Sequence, residues 1–327
     1  MRRLTEALAV VVILAALALV MGCGSTGSGT SSGRSLNAAG TQSKIAYSRM
    51  VQQGRNLYPR VFTIDPDGTG VTEVAGNGSV QPAWSPDGTK IVYCCSNRLY
   101  TMNADGSAKS AITSKYAPGD PAWSPDGSKI AFQGSGIYTV PATGGTARLV
   151  PGSVPGDQFP CWSPNGDFIL FEGSQRKDAN GNEAIGLYTI PSSGGTATLL
   201  VDTYDAEHPY GYAYHSDSDW SGTTPNRVIY RVYARDGSYG STFYVYCVAV
   251  QVSGSSVSTI GTPFEVRRGD HPSWSPNGLQ AAVSATETAV FVQDVPMGPA
   301  TPRPWYSLRI SPPPVAPGMG MDPDWSP

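Results

Sequence analysis

Trp84-Ser85-Pro86-Asp87-Gly88 is the stretch on which the rest of this chain is patterned. It returns as Trp123-Ser124-Pro125-Asp126-Gly127, as Trp162-Ser163-Pro164-Asn165-Gly166 and as Trp274-Ser275-Pro276-Asn277-Gly278. A worn copy, Asp219-Trp220-Ser221-Gly222, fills the gap between the third and fourth, and a partial copy stands at Asp324-Trp325-Ser326-Pro327. Successive tryptophans lie 39, 39, 58, 54 and 51 residues apart, the range of a repeat built from one small sheet.

Each residue of the motif has a mechanical reason. Ser, Pro and Gly suit the first, second and fourth positions of a type I turn. A left-handed Gly after such a turn makes a tight hairpin with a bulge. An apolar alternating run follows each full copy, for example Lys90-Ile91-Val92-Tyr93 and Lys129-Ile130-Ala131-Phe132. Arg227-Val228-Ile229-Tyr230 follows the worn one. The motif therefore ends one strand, A, and starts the next, B. Strand C follows (Leu99 to Met102, Ile137 to Val140), then a Gly-rich turn and a short strand D (Ala147 to Val150). Four antiparallel strands in about 40 residues make a propeller blade.

The motif, its downstream strand and the turn Met102-Asn103-Ala104-Asp105-Gly106-Ser107 resemble the WD-like repeats of the TolB propeller family. The resemblance covers roughly residues 43 to 327. It implies an all-β propeller and says little of function, since propellers host unrelated activities. TolB carries an additional N-terminal domain, and no segment of this sequence is expected to supply it. The expected fold is six four-stranded blades. The first has strands B, C and D from Ser43 to Ala75 and takes its strand A from Pro323-Asp324-Trp325-Ser326. Closure by the C-terminal strand would remove an exposed sheet edge.

Ahead of the repeats, Arg2 and Arg3 precede an apolar run from Ala7 to Met21 that ends in Val20-Met21-Gly22-Cys23. A basic start with an apolar core of about 15 residues is a secretion signal, short for a membrane span. Its end resembles a lipoprotein box, so residues 1–22 are expected to be removed and Cys23 lipidated. Residues 23–42 are mostly Gly, Ser, Thr, Asn and Ala and are expected to form a flexible tether of about 25 Å. The expected location is outside the cytoplasm, membrane-anchored, facing periplasm or cell exterior. Cys94, Cys95, Cys161 and Cys247 leave two alternatives, a bridge between the adjacent Cys94 and Cys95 or buried free thiols.

Several function classes drop out. The chain is 14% charged with a net charge of −3, and it has no basic stretch, so nucleic acid is an unexpected partner. Gly29-Thr30-Ser31-Ser32-Gly33 matches a hydrolase nucleophile pattern but lacks its strand and helix. The stretch from Asp178 to Glu183 lacks the Gly and Glu of a calcium loop. No Ser-His-Asp order or phosphate loop is present, and no catalytic residue or cofactor is expected.

The insertions point to a binding side. If A and C run one way and B and D the other, residues 48–60, 174–185, 203–217, 235–241, 262–271 and 311–322 enlarge loops on one face. Three residues before each Trp stand Gln81, Asp120, Phe159, Asp217, His271 and Asp322, expected to ring that mouth of the central channel. Its acids, imidazole and amide could hold a divalent cation or a ligand's donors, or form a solvated rim. The loop with Tyr204, His208, Tyr210, Tyr212, Tyr214 and His215 suits recognition, because tyrosine gives contact area at low entropy cost. The expectation is a monomeric binding or scaffolding module for an envelope protein or peptide, or a saccharide. The alternative is a metal-dependent polysaccharide lyase or hydrolase with its site at the channel mouth: some TolB-like propellers are polysaccharide lyases with a metal held by histidines and a glutamine, roles open to His208, His215, His271 and Gln81. Their placement matches no lyase motif.

Overall fold

The computed structural model describes residues 43–113, 118–174, 176, 185–202, 214–222, 226–235, 241–284, 290–295, 306–308 and 323–325. The signal segment, Cys23 and the tether lie outside them. All regular structure among the described residues is β, in four-stranded antiparallel sheets.

The first sheet holds β1 (Ile45–Gln53), β2 (Asn56–Ile64) and β3 (Thr72–Ala75). The second is β4 (Ser79–Trp84), β5 (Lys90–Cys95), β6 (Arg98–Asn103) and β7 (Ser110–Ala111). The third is β8 (Gly119–Trp123), β9 (Lys129–Gln133), β10 (Ile137–Pro141) and β11 (Arg148–Leu149). The fourth is β12 (Asp157–Trp162), β13 (Phe168–Gly173), β14 (Gly186–Pro191) and β15 (Thr198–Asp202). The fifth is β16 (Tyr214–Trp220), β17 (Arg227–Arg235), β18 (Ser241–Ser253) and β19 (Ser256–Arg268). The sixth is β20 (Asp270–Trp274), β21 (Gln280–Ser284), β22 (Val290–Asp294) and β23 (Tyr306–Leu308). The last strand, β24 (Asp324–Trp325), returns to the first sheet and pairs Ile45 with Trp325 and Ala46 with Asp324.

The turn chemistry follows from the motif. Gly88 N donates to Ser85 O at 2.8 Å, with Gly88 at φ 68°. Asp87 Oδ1 accepts from Ser85 Oγ at 2.6 Å and from Thr89 N at 3.0 Å, which locks the turn from inside. Asp126, Asn165 and Asn277 repeat that hydrogen-bonding role. In the worn copy Ser221 still accepts from Arg227 N at 3.1 Å, so the hairpin survives the loss of Pro and Asp.

The core lies between sheets. Trp84 packs with Ile91 and Tyr93 of its own sheet and with Ala46 and Val61 of the first. Trp162, Trp220 and Trp274 likewise bridge to the sheet before theirs. These four indoles are 5–7% exposed. Removing one such side chain costs about 3–5 kcal/mol, which is why the repeat keeps it. No disulfide joins Cys94, Cys95, Cys161 and Cys247, and all but Cys95 are buried.

Some expected loops are strands. Residues 48–60 are largely the β1–β2 hairpin, 262–268 continue β19, and Tyr214, His215 and Asp217 lie on β16. Pairing runs on through them, from Ile45↔Ile64 to Gln53↔Asn56 in the first sheet and as far as Tyr244↔Arg268 in the fifth.

Candidate functional site: a cavity among the inner strands

The innermost strand of each sheet contributes to a cavity of about 470 Å³. Gln81, Asp120, Phe159 and His271 line it three residues before their tryptophans, and Pro86, Pro125, Pro164 and Pro276 of the turns line it beyond them. The four pre-tryptophan residues share a backbone state that L side chains rarely adopt: φ is 53°, 46°, 53° and 45° in turn. Each sits in a register break of its strand, between Val80 and Ala83, Gly119 and Ala122, Gln158 and Cys161, and Asp270 and Ser273. A left-handed non-glycine residue costs about 1–3 kcal/mol and persists only where its surroundings enforce it.

Polar contacts join two of these residues and others on the same and adjacent strands. Gln81 Nε2 donates to Asp120 Oδ1 at 2.5 Å. Gln133 Nε2 meets Gln158 Oε1 at 3.5 Å, and Gln158 Nε2 donates to Glu172 Oε1 at 2.9 Å. Asp270 Oδ1 accepts from Arg231 Nη1 at 2.7 Å and from His271 N at 2.9 Å. His271 Nδ1 stands 3.3 Å from Asp270 Oδ1 and 3.5 Å from Ser284 Oγ. Nearby, buried Asp157 accepts from Arg176 at 2.6 and 3.0 Å, and that guanidinium lies 5.0 Å from the Phe171 ring.

Of the sequence-derived candidates, the structure brings Gln81, Asp120 and His271 to one cavity. Asp217 occupies the matching register break of β16, between Ser216 and Asp219, with Tyr214 and His215 on the same strand. Tyr204, His208, Tyr210, Tyr212 and Asp322 lie outside the described residues. Among the described residues no group of three His, Cys, Asp or Glu side chains converges to hold a metal ion.

A second set of cavity residues went unread in the sequence. The residue just before each tryptophan is Ala83, Ala122, Cys161, Asp219, Ser273 or Asp324, and all line the cavity. Where it is alanine, the next indole donates to its carbonyl: Trp123 Nε1 to Ala83 O and Trp162 Nε1 to Ala122 O, both at 3.1 Å. Where it is aspartate, the carboxylate accepts a main-chain amide of the neighbouring sheet instead. Asp219 Oδ2 takes Trp274 N at 2.7 Å, and Asp324 Oδ2 takes Trp84 N at 2.5 Å. Burial raises the Asp219 carboxyl above its ordinary value against the pull of the Trp274 and Trp220 amides. Burial, then the Asp219 charge, pushes the Cys161 thiol up, so it is a poor nucleophile. The available signal was the switch from Ala to Asp at one motif position.

The arrangement offers donors, acceptors and a ring at an open mouth. Comparisons agree on the fold. No curated protein matches this chain. TolB from Acinetobacter baumannii is 18% identical with a TM-score of 0.59, the match covering 87% of this chain and 66% of that one. This chain therefore spans just under two thirds of that TolB. A putative TolB from Agrobacterium tumefaciens is 20% identical with a TM-score of 0.53, over 81% of this chain and 88% of that one. At such identities the likeness speaks to fold alone. The family model described as the TolB beta propeller domain matches residues 36–212, just over half of the sequence, and this chain belongs to that family.

Proposed function

We propose that this chain is an exported, lipid-anchored propeller of six blades, closed by its C-terminal strand, that binds an envelope protein or peptide at its loop-bearing face without catalysing a reaction. Closure is supported by the β24–β1 pairing and by the inner strands, which neighbour one another in the cyclic order β24, β4, β8, β12, β16, β20, β24. Export and anchoring are supported by the apolar run ending at Cys23 and the polar stretch after it.

The observation that carries the binding reading is the ring of strained residues at one mouth. Four non-glycine residues are held left-handed at equivalent positions, each in a register break of its inner strand, a backbone that costs about 1–3 kcal/mol apiece. They present an amide, a carboxylate, a phenyl ring and an imidazole to one opening.

The test uses the full chain, purified in detergent and offered a native envelope extract. A variant with Gln81→Ala and His271→Ala should lose the captured partner by about tenfold or more, the scale of interface anchors. A variant with Asp87→Ala and Asp126→Ala, on the turns at the other end, should keep it. A partner lost only by the turn variant would place binding on the wrong face. Cys23→Ser should release the chain from the membrane fraction, because each buried methylene contributes ~0.8 kcal/mol and paired chains hold stably. Unchanged partitioning would rule out the anchor.

A further inference from the structure

The outer strands of the sheets are not alike. β3, β7, β11, β15 and β23 have 4, 2, 2, 5 and 3 residues. Short outer strands leave little backbone for another chain to pair with. β19 has 13 residues and is the terminal strand of its sheet. Its two halves differ in kind. From Gly261 onward it carries Pro263, Glu265, Arg267 and Arg268, together with breaks in its register with β18. Proline, charge and bulges are the devices by which sheets avoid edge pairing.

From Ser256 to Ile260 none of these is present. The segment is uncharged and proline-free, and it runs in unbroken register with β18 from Ser253↔Ser256 to Ala249↔Ile260. All but Val257 are exposed, Ile260 by 50%. Among the described residues no strand pairs with its outer edge.

We propose that this edge pairs with the same edge of a second copy of the chain, antiparallel about a two-fold axis at Ser258. Two four-stranded sheets would then join as one sheet of eight. An open edge accepts only an extended strand, because its unpaired groups are main-chain amides and carbonyls. A foreign peptide would draw its specificity from pockets for alternate side chains, and Ser256, Ser258 and Thr259 build none. A two-fold axis instead sets Ser258 against Ser258, Val257 against Thr259 and Ile260 against Ser256, pairs that suit neighbouring strands. The whole stretch from Val250 to Phe264 lacks a charged residue, so no like charges meet across the axis, and the net charge of each chain is only −3.

The contact lies toward the Trp-Ser-Pro turns, since Ile260 faces Ala249, which in turn faces Arg227 at the start of β17. The opposite mouth, with Gln81 and His271, stays open in the pair. A strand of five residues buries much less than a standard interface, so the dimer is weak and concentration-dependent. The sequence led to the expectation of a monomer, and sedimentation distinguishes the two.

Sedimentation velocity on the full chain in detergent, from about 1 µM to about 1 mM, reads the association directly. The parent should shift from monomer to dimer, and Ser258→Lys should weaken the association about tenfold or more by facing two ammonium groups across the axis. Thr259→Lys serves as a second exposed substitution, and unchanged melting confirms that each variant folds. In a Cys95→Ser background, oxidation of Ser258→Cys should give a covalent dimer, and Ser110→Cys on the two-residue β7 should not. A parent that stays monomeric throughout, lysine variants that dimerise like the parent, or equal cross-linking at Ser110→Cys would each overturn the proposal.

Discussion

The Asp324 carboxylate accepts the main-chain amide of Trp84 at 2.5 Å although 240 residues separate them. The other carboxylate oxygen lies 3.3 Å from Ser273 Oγ of β20. One side chain on the last strand thus touches both the second sheet and the sixth, beside the pairing of β24 with β1.

That junction should carry measurable stability. Asp324→Ala leaves the buried Trp84 amide without its acceptor, at a cost of about 1–3 kcal/mol. Deleting residues 320–327 also removes the inner strand from β1 and a tryptophan, and should bring aggregation or a large fall in melting temperature. A truncated chain that melts like the parent would show that the first sheet needs no C-terminal strand.

Two kinds of aspartate should give opposite pH responses. The folded-state carboxyl of Asp219 is raised by burial, so its contribution is greatest below the unfolded value of 3.8 and declines as pH rises from there through the folded value. Asp126 is lowered to about 2, mainly by the Ser124 hydroxyl, so its contribution is present above 3.8 and is lost as pH falls toward about 2. Asp126→Asn keeps the turn geometry that Asn165 and Asn277 already show. It should leave melting near neutral pH little changed and soften the fall in acid. Asp219→Asn should remove the decline above 3.8. Parallel melting-versus-pH curves for parent and both variants would refute this account.

Arg227 is 1% exposed, with its guanidinium 4.6 Å from the Trp274 ring. Nη1 donates to Val295 O at 3.3 Å and Nη2 to Gly278 O, so one side chain ties the fifth sheet to the sixth. Arg227→Ala should cost about 3 kcal/mol through lost packing and stranded carbonyls. Arg227→Lys should recover only part of it, because an ammonium cannot stack and span both carbonyls. Full recovery by lysine in denaturant melts would show that charge alone matters.

Much of the fold was legible because it is local. The motif turn, the alternating runs and the Gly-rich C–D turns each act within a dozen residues, and their recurrence is enough to locate strands A and B around Trp84, Trp123, Trp162 and Trp274. The mouth ring was half legible. Counting back from each tryptophan found Gln81, Asp120 and His271, and nothing in the count foretold that they are left-handed or that Gln81 bonds Asp120. The expected loop at 262–271 proved mostly strand, since β19 keeps pairing with β18, through two register breaks, as far as Arg268 opposite Tyr244.

By itself the sequence determined the repeat, the four-strand unit and the packing tryptophans, because turn geometry and alternation are properties of short windows. Only the tertiary structure decided how one sheet is fastened to the next. Asp219 meets Trp274 across 55 residues and Asp324 meets Trp84 across 240. No local rule assigns those partners, since they exist only once the sheets stand side by side around a shared cavity.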